Sequence, residues 1–93
     1  MESIIQDIIN SIENGCIFDS HTVISILIEK YSNEYLNFAS QFLNTENITN
    51  ITHSRISKII DQFDGTLIIR QQNQSFSKNI HNRYTKCACW IKN

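Results

Sequence analysis

The chain contains no proline, only two glycines (Gly15 and Gly65) and a single tryptophan, Trp90. Without proline, no turn is set by a locked φ and no helix is broken by a missing N–H, so element boundaries must come from glycine and capping side chains. Two isolated glycines supply no phosphate-cradling loop, and neither Ser75 nor Ser77 has the flanking glycines of a nucleophile elbow. Cysteine is scarce and odd in number, three (Cys16, Cys87 and Cys89), which argues against a disulfide framework and for reduced thiols. Long apolar runs are missing too. No window approaches the roughly 20 consecutive apolar residues of a membrane span, and Met1 to Asp7 has no basic stretch ahead of an apolar one, so no export signal is expected. The expected location is the cytoplasm, with no membrane partner. Acids are rare in the second half, where only Asp61 and Asp64 occur.

What is present suits one small globular domain spanning residues 1–93. Hydrophobic residues make up 41% and charged residues 18%, a balance that supports folding. At this length most large apolar side chains must serve the core, leaving few for a deep substrate cavity. Eighteen isoleucines and eleven asparagines have the look of an AT-rich coding sequence, so isoleucine is no vote for strand here and spacing must decide. The net charge of −1 hides an asymmetry. Residues 1–46 carry seven acids and one base (Lys30), whereas residues 47–93 carry seven bases and two acids. If the halves form two faces, the basic one suits a polyanion.

Ile4, Ile5, Ile8, Ile9 and Ile12 recur at helical spacing until Gly15, and define a first helix. Cys16 to Phe18 is too short for a helix and reads as an extended segment able to pair with a later hairpin. Asp19 or Ser20 caps a second helix over His21 to Tyr31, with Val23, Ile24, Leu27 and Ile28 on one face. Ser32-Asn33 offers a further cap, so a break is expected there before a third helix carrying Tyr35, Phe38, Ala39, Phe42 and Leu43. After a polar loop at 44–47, Thr49, Asn50 or Thr52 caps a fourth helix that runs to about Phe63. Its Ile56, Ile59, Ile60 and Phe63 are expected to pack on the second helix, and its other face offers His53, Ser54, Arg55, Ser57 and Lys58 to solvent. Asp64-Gly65 is a turn signal, Thr66 to Arg70 a short strand, residues 71–83 an amide-rich loop, and Tyr84 to Ile91 a second strand. The expected class is α+β, a bundle of three to four helices followed by a C-terminal β-hairpin.

This element order resembles the winged-helix group of helix-turn-helix domains, with the fourth helix in the recognition position and residues 71–83 as the wing. The stretch from Asn44 to Asn50 is longer than the turn of about 3–4 residues usual in that motif. Phe18-Asp19-Ser20-His21-Thr22-Val23-Ile24, and the ending from Asn79-Ile80-His81 through Cys89-Trp90, are also similar to segments of short bacterial or phage proteins to which no activity is attached. The winged-helix resemblance implies DNA binding. Arg55 and Lys58, at i and i+3, would enter a major groove. Asn50, His53 and Ser54 would bond bases or backbone, and Arg70, Lys78, Arg83 and Lys86 would hold phosphates.

Other chemistries are weaker. Cys16, Cys87, Cys89 and His81 make a poor zinc set because Cys-x-Cys on one strand lacks the usual knuckle, so buried thiols and no metal are expected. His21 and His53 have no carboxylate at a useful spacing, and an enzyme is not expected. No cofactor is implied. Tyr31, Tyr35, Phe38 and Phe42 read as core packing or as a dimer seam with a second copy. Phe76, Ile80 and Tyr84, large apolar residues in and beside the polar loop, read as a partner surface. The leading reading is a non-enzymatic, winged-helix-like DNA-binding domain of bacterial or phage origin. Its rival is a protein-interaction module, such as a small phage or mobile-element inhibitor of a host nuclease or defence complex, anti-CRISPR-like, whose acidic half mimics nucleic acid for a protein partner.

Overall fold

The computed structural model describes all 93 residues. Four α-helices are followed by antiparallel strands, an α+β arrangement of a helical bundle and a C-terminal hairpin. Helix α1 (Glu2–Ser11) buries Ile5, Ile8 and Ile9. Its chain leaves the helix at Ile12 and turns at Gly15, whose φ of 85° is a conformation that side chains with a Cβ resist. Strand β1 (Ile17–Asp19) leads directly into α2 (Ser20–Lys30). Asp19 is the N-cap of α2, its Oδ1 accepting the Thr22 N–H at 2.9 Å.

The expected break after α2 is present, but no cap makes it. Tyr31 leaves helical geometry (φ −133°, ψ 43°), and α3 (Ser32–Ala39) begins without a side-chain cap bond. A single 3₁₀ turn, Ser40–Phe42, follows, and α4 then spans Ile48–Asp61. Asn47 caps α4, accepting the Asn50 N–H at 3.4 Å. The helix therefore starts ahead of the expected caps Thr49, Asn50 and Thr52, because Asn47 already offers an oxygen to the orphan N–H three residues on.

Strands β2 (Ile68–Arg70), β3 (Ser75–Lys78), β4 (Tyr84–Cys87) and β5 (Cys89–Lys92) complete the chain. They form two sheets, one in the order β1-β5-β2 and the other the β3–β4 pair. The expected loop at 71–83 is thus half strand. The expected final strand is split at Ala88, whose carbonyl accepts the Ser20 N–H at 3.0 Å and so leaves the hairpin ladder to meet α2. β5 lies at the centre of its sheet, with Trp90 in register with both Phe18 and Arg70.

One core gathers these elements. Val23, Ile24, Leu27, Ile56, Ile60, Ile68 and Trp90 are all buried in it. Of the expected α2–α4 contacts, Ile28, Ile59 and Phe63 are only partly buried, at the margin of the same cluster. Trp90 stacks on Phe18, ring centroids 5.7 Å apart, and donates its indole N–H to Asp61 at 2.9 Å. Tyr35 is buried and Phe38 meets Phe42 edge-on at 5.5 Å, so the aromatic run packs largely within the molecule. Lys92 is buried as well, donating from Nζ to the Ile9 and Ile12 carbonyls at 3.0 and 3.1 Å, which closes the C-terminal end of α1. No helix is long and apolar enough to cross a membrane.

Candidate functional site

Asp19 and His21, side by side at the start of α2, hold the hairpin. Ser75 donates to Asp19 Oδ2 at 2.7 Å, while His21 Nδ1 lies 2.7 Å from Ser77 Oγ and His21 Nε2 lies 3.4 Å from Thr85 Oγ1. Burial alone would raise the Asp19 carboxyl. The Ser75, Thr22 and Ser77 hydrogen bonds outweigh it and hold the group below the usual carboxylate range. The alternation of β3 and β4 explains the geometry, since Ser75, Ser77, Thr85 and Cys87 share the face turned to α2.

Between α2, α4 and the hairpin runs a polar groove of about 420 Å³ into which all three histidines of the chain project. His53, expected at the solvent face, is half-buried, and its Nε2 shares a 2.8 Å hydrogen bond with the Tyr35 hydroxyl. Desolvation, and then the neighbouring His81 and His21, push its pKa down to about 4, so it is neutral at physiological pH. Burial moves the Tyr35 hydroxyl the other way, upward. Asn50 and Ser54 also line the groove, and Lys86 rims it.

The groove continues past the first turn of α4 to the hairpin tip, where Asn47, Thr49 and Asn50 face Asn79, His81 and Arg83 across about 460 Å³ with no hydrophobic lining. The tip is held by Asn79, whose Oδ1 accepts the His81 and Arg83 N–H groups at 2.9 and 3.1 Å, while Asn82 takes the left-handed conformation at φ 62°. Ile80 packs against the main core, so the tip lies on the helices.

The remaining expected site residues are elsewhere. Arg55 and Lys58 do share a face, but it is the one turned to the third helix, where they line a separate trough with Phe38 and Phe42. The Arg55 guanidinium stands 6.0 Å from the Phe42 ring centroid. Arg70 is engaged within the fold, bonded to Asp61 Oδ1 at 3.1 Å and standing over Trp90. The Trp90 and Arg70 hydrogen bonds hold the Asp61 carboxyl below its ordinary pKa against a smaller opposing effect of burial. Lys78 is 5.9 Å from the Tyr84 ring, and Tyr84 stacks on Phe76. The structure therefore unites Asn50, His53, Ser54 and Arg83 around one groove, leaves Lys86 at its rim on the outer face of the hairpin, and separates them from Arg55 and Lys58.

Sequence reasoning missed the convergence of the histidines, which lie on three elements 21, 53 and 81 residues along the chain and carry no shared spacing. It also missed β3, although the alternation Ser-Phe-Ser-Lys was a usable period-two signal. Cys87 and Cys89 are buried and Cys16 is exposed, all three as free thiols. No three His, Cys, Asp or Glu side chains are grouped to hold a metal ion. Compared with protein-family models, with curated proteins and with solved structures, the chain matches none.

Proposed function

We propose that this chain is a non-enzymatic DNA-binding domain of winged-helix type, in which α4 and the β3–β4 hairpin contact the duplex from either side of the polar groove. One observation carries the reading. The fold contains a single ion pair, Arg70–Asp61, so Arg55, Lys58, Lys78, Arg83 and Lys86 are all exposed without a carboxylate partner. No acid follows Asp64 in the chain, so the hairpin presents only positive charge. Unpaired cations on a helix and an adjoining ribbon are what phosphate neutralisation requires. The element order along the chain, with α1 before β1 and α4 before β2, on which the winged-helix resemblance rests, supports the reading as well.

The test is fluorescence anisotropy of a labelled mixed-sequence duplex across a salt series. Counterion release gives a slope of about −0.9 in log K per phosphate neutralised, so contact by the three hairpin cations yields a slope of about −3, which steepens if the duplex also covers the flank of α4 that carries Arg55 and Lys58. Replacing Arg55 and Lys58 by Ala is expected to weaken binding by about 1–3 kcal/mol if either reads a base, and more uniformly across sequences if both meet only phosphate. Absence of any salt-dependent binding at micromolar protein would overturn the reading. The acidic half would then lead, because Glu2, Asp7, Glu13, Glu29 and Glu34 are equally exposed and unpaired, which suits a basic protein partner.

A further inference from the structure

The face of the hairpin turned away from α2 carries two aromatic rings and two lysines, all four exposed. In the β3–β4 ladder Phe76 stands opposite Lys86 and Tyr84 opposite Lys78, so the two rings and two ammonium groups alternate in a checkerboard. The rings stack on each other, centroids 5.8 Å apart and planes 26° from parallel. They are nonetheless 68% and 60% exposed, among the most exposed large apolar side chains of the fold. A cross-strand aromatic pair stabilises a hairpin modestly, but that role leaves unexplained why two large rings are held in water rather than turned to the core.

We propose that this face is a stacking platform for the bases of unpaired nucleic acid. The inference rests on the part of the reading above in which the hairpin's cations meet phosphate, and it departs from that reading in the ligand, giving the outer face of the hairpin unpaired strands in place of the duplex. In a duplex the flat faces of the bases cover one another and only their edges reach the grooves, so an exposed ring pair has nothing to stack on. Unpaired nucleotides offer free π-faces, and aromatic side chains bind them with little regard to sequence. Lys78 and Lys86 flank the rings where the backbone of a stacked strand must pass, and the absence of any acid from residue 65 onward removes repulsion. An acidic protein would pair the two ammonium groups as phosphates do, so it is the flat, exposed ring faces, matched by the free π-faces of unpaired bases, that favour nucleic acid. The opposite face is held by Asp19 and His21 through Ser75, Ser77 and Thr85, so the platform is presented by a fixed ribbon and little ordering is needed on binding.

The experiment compares three fluorescein-labelled probes of equal phosphate number at one salt concentration: an oligothymidylate, an abasic strand of the same length, and a duplex. Wild-type protein is expected to bind the oligothymidylate roughly ten-fold more tightly than the abasic strand, the magnitude of about one stacked base. Phe76→Ala and Tyr84→Ala should each abolish most of that preference while leaving abasic and duplex affinities within about two-fold. Phe76→Leu with Tyr84→Leu keeps apolar bulk without the ring faces and should behave like the Ala variants, and far-ultraviolet circular dichroism shows that each variant is folded. Equal binding of all three probes by wild type would overturn the platform and leave the electrostatic reading standing. No binding of any probe would overturn both. A preference that survives in the double Leu variant would also overturn the platform. So would a concentration-dependent dimer in sedimentation that the Ala variants abolish, since it would assign the face to a second copy.

Discussion

At the scale of single residues, this protein spends its polar side chains on joining elements. Lys92 closes the end of α1, Asp61 receives both Trp90 and Arg70, and His53 meets Tyr35 across α3 and α4. His53 makes this measurable. Its folded pKa of about 4 lies below the usual 6.5, so between those values the unfolded chain binds a proton that the folded chain does not. Stability is then full above pH 6.5 and falls as the pH drops toward 4. Because the imidazole is only half-buried, screening by water cuts the effect, and the expected loss at pH 4.5 is on the order of 1 kcal/mol, read as the change in urea unfolding free energy from pH 7.5. His53→Gln should flatten the profile in that window. Asp19 and Asp61 have lowered values, so their stabilisation is present above the ordinary carboxylate range and lost only at more acidic pH. A wild-type profile that is flat from pH 7.5 to 4.5 would refute the burial of a neutral His53.

At the scale of elements, helices were readable because a helix buries a stripe whose spacing is local. Ile5, Ile8 and Ile9 of α1 and the Val23, Ile24, Leu27 set of α2 are buried as their period required, with Ile4 at the margin. The hairpin was only half readable. Its paired residues lie up to twelve positions apart, and the face it turns inward is built of Ser75, Ser77, Thr85 and Cys87 rather than of large apolar groups. The period-two alternation of β3 is inverted relative to an ordinary half-buried strand, with Phe76 outward and serines inward, because its inner face is tied by hydrogen bonds to Asp19 and His21. Asp19→Ala removes both the α2 cap and the hairpin tie, and is expected to cost about 1–3 kcal/mol. Ser75→Ala removes the tie alone and should cost about 1 kcal/mol. Amide hydrogen exchange in β3 and β4 should accelerate in both variants, while exchange in the first turn of α2 should accelerate only in Asp19→Ala. Equal acceleration in α2 for the two variants would show that the cap and the tie are one inseparable unit.

At the scale of the whole molecule, the last strand in sequence is the central strand in space. β5 pairs with β1 on one side and β2 on the other, its Trp90 is fully buried, and its Lys92 reaches back to α1. Removing Cys89 to Asn93 should therefore abolish the cooperative thermal transition rather than fray one end, as circular dichroism would show; a sharp transition retained at similar temperature would contradict this. The same long-range closure decided the candidate site. Charge asymmetry, capping residues, helical stripes and the α+β class follow from the sequence alone, because each depends on composition or on neighbours within a few positions. What only the tertiary structure decided is which basic residues share a surface. Sequence spacing allowed Arg55, Lys58, Lys78, Arg83 and Lys86 to form one set, but the rotation of α4 turns the first two toward Phe42, while Asn79 and Ile80 fold the hairpin tip onto the other flank. That division depends on contacts between residues some 30 positions apart, and no local pattern encodes the angle at which a helix presents its polar side to a strand that follows it.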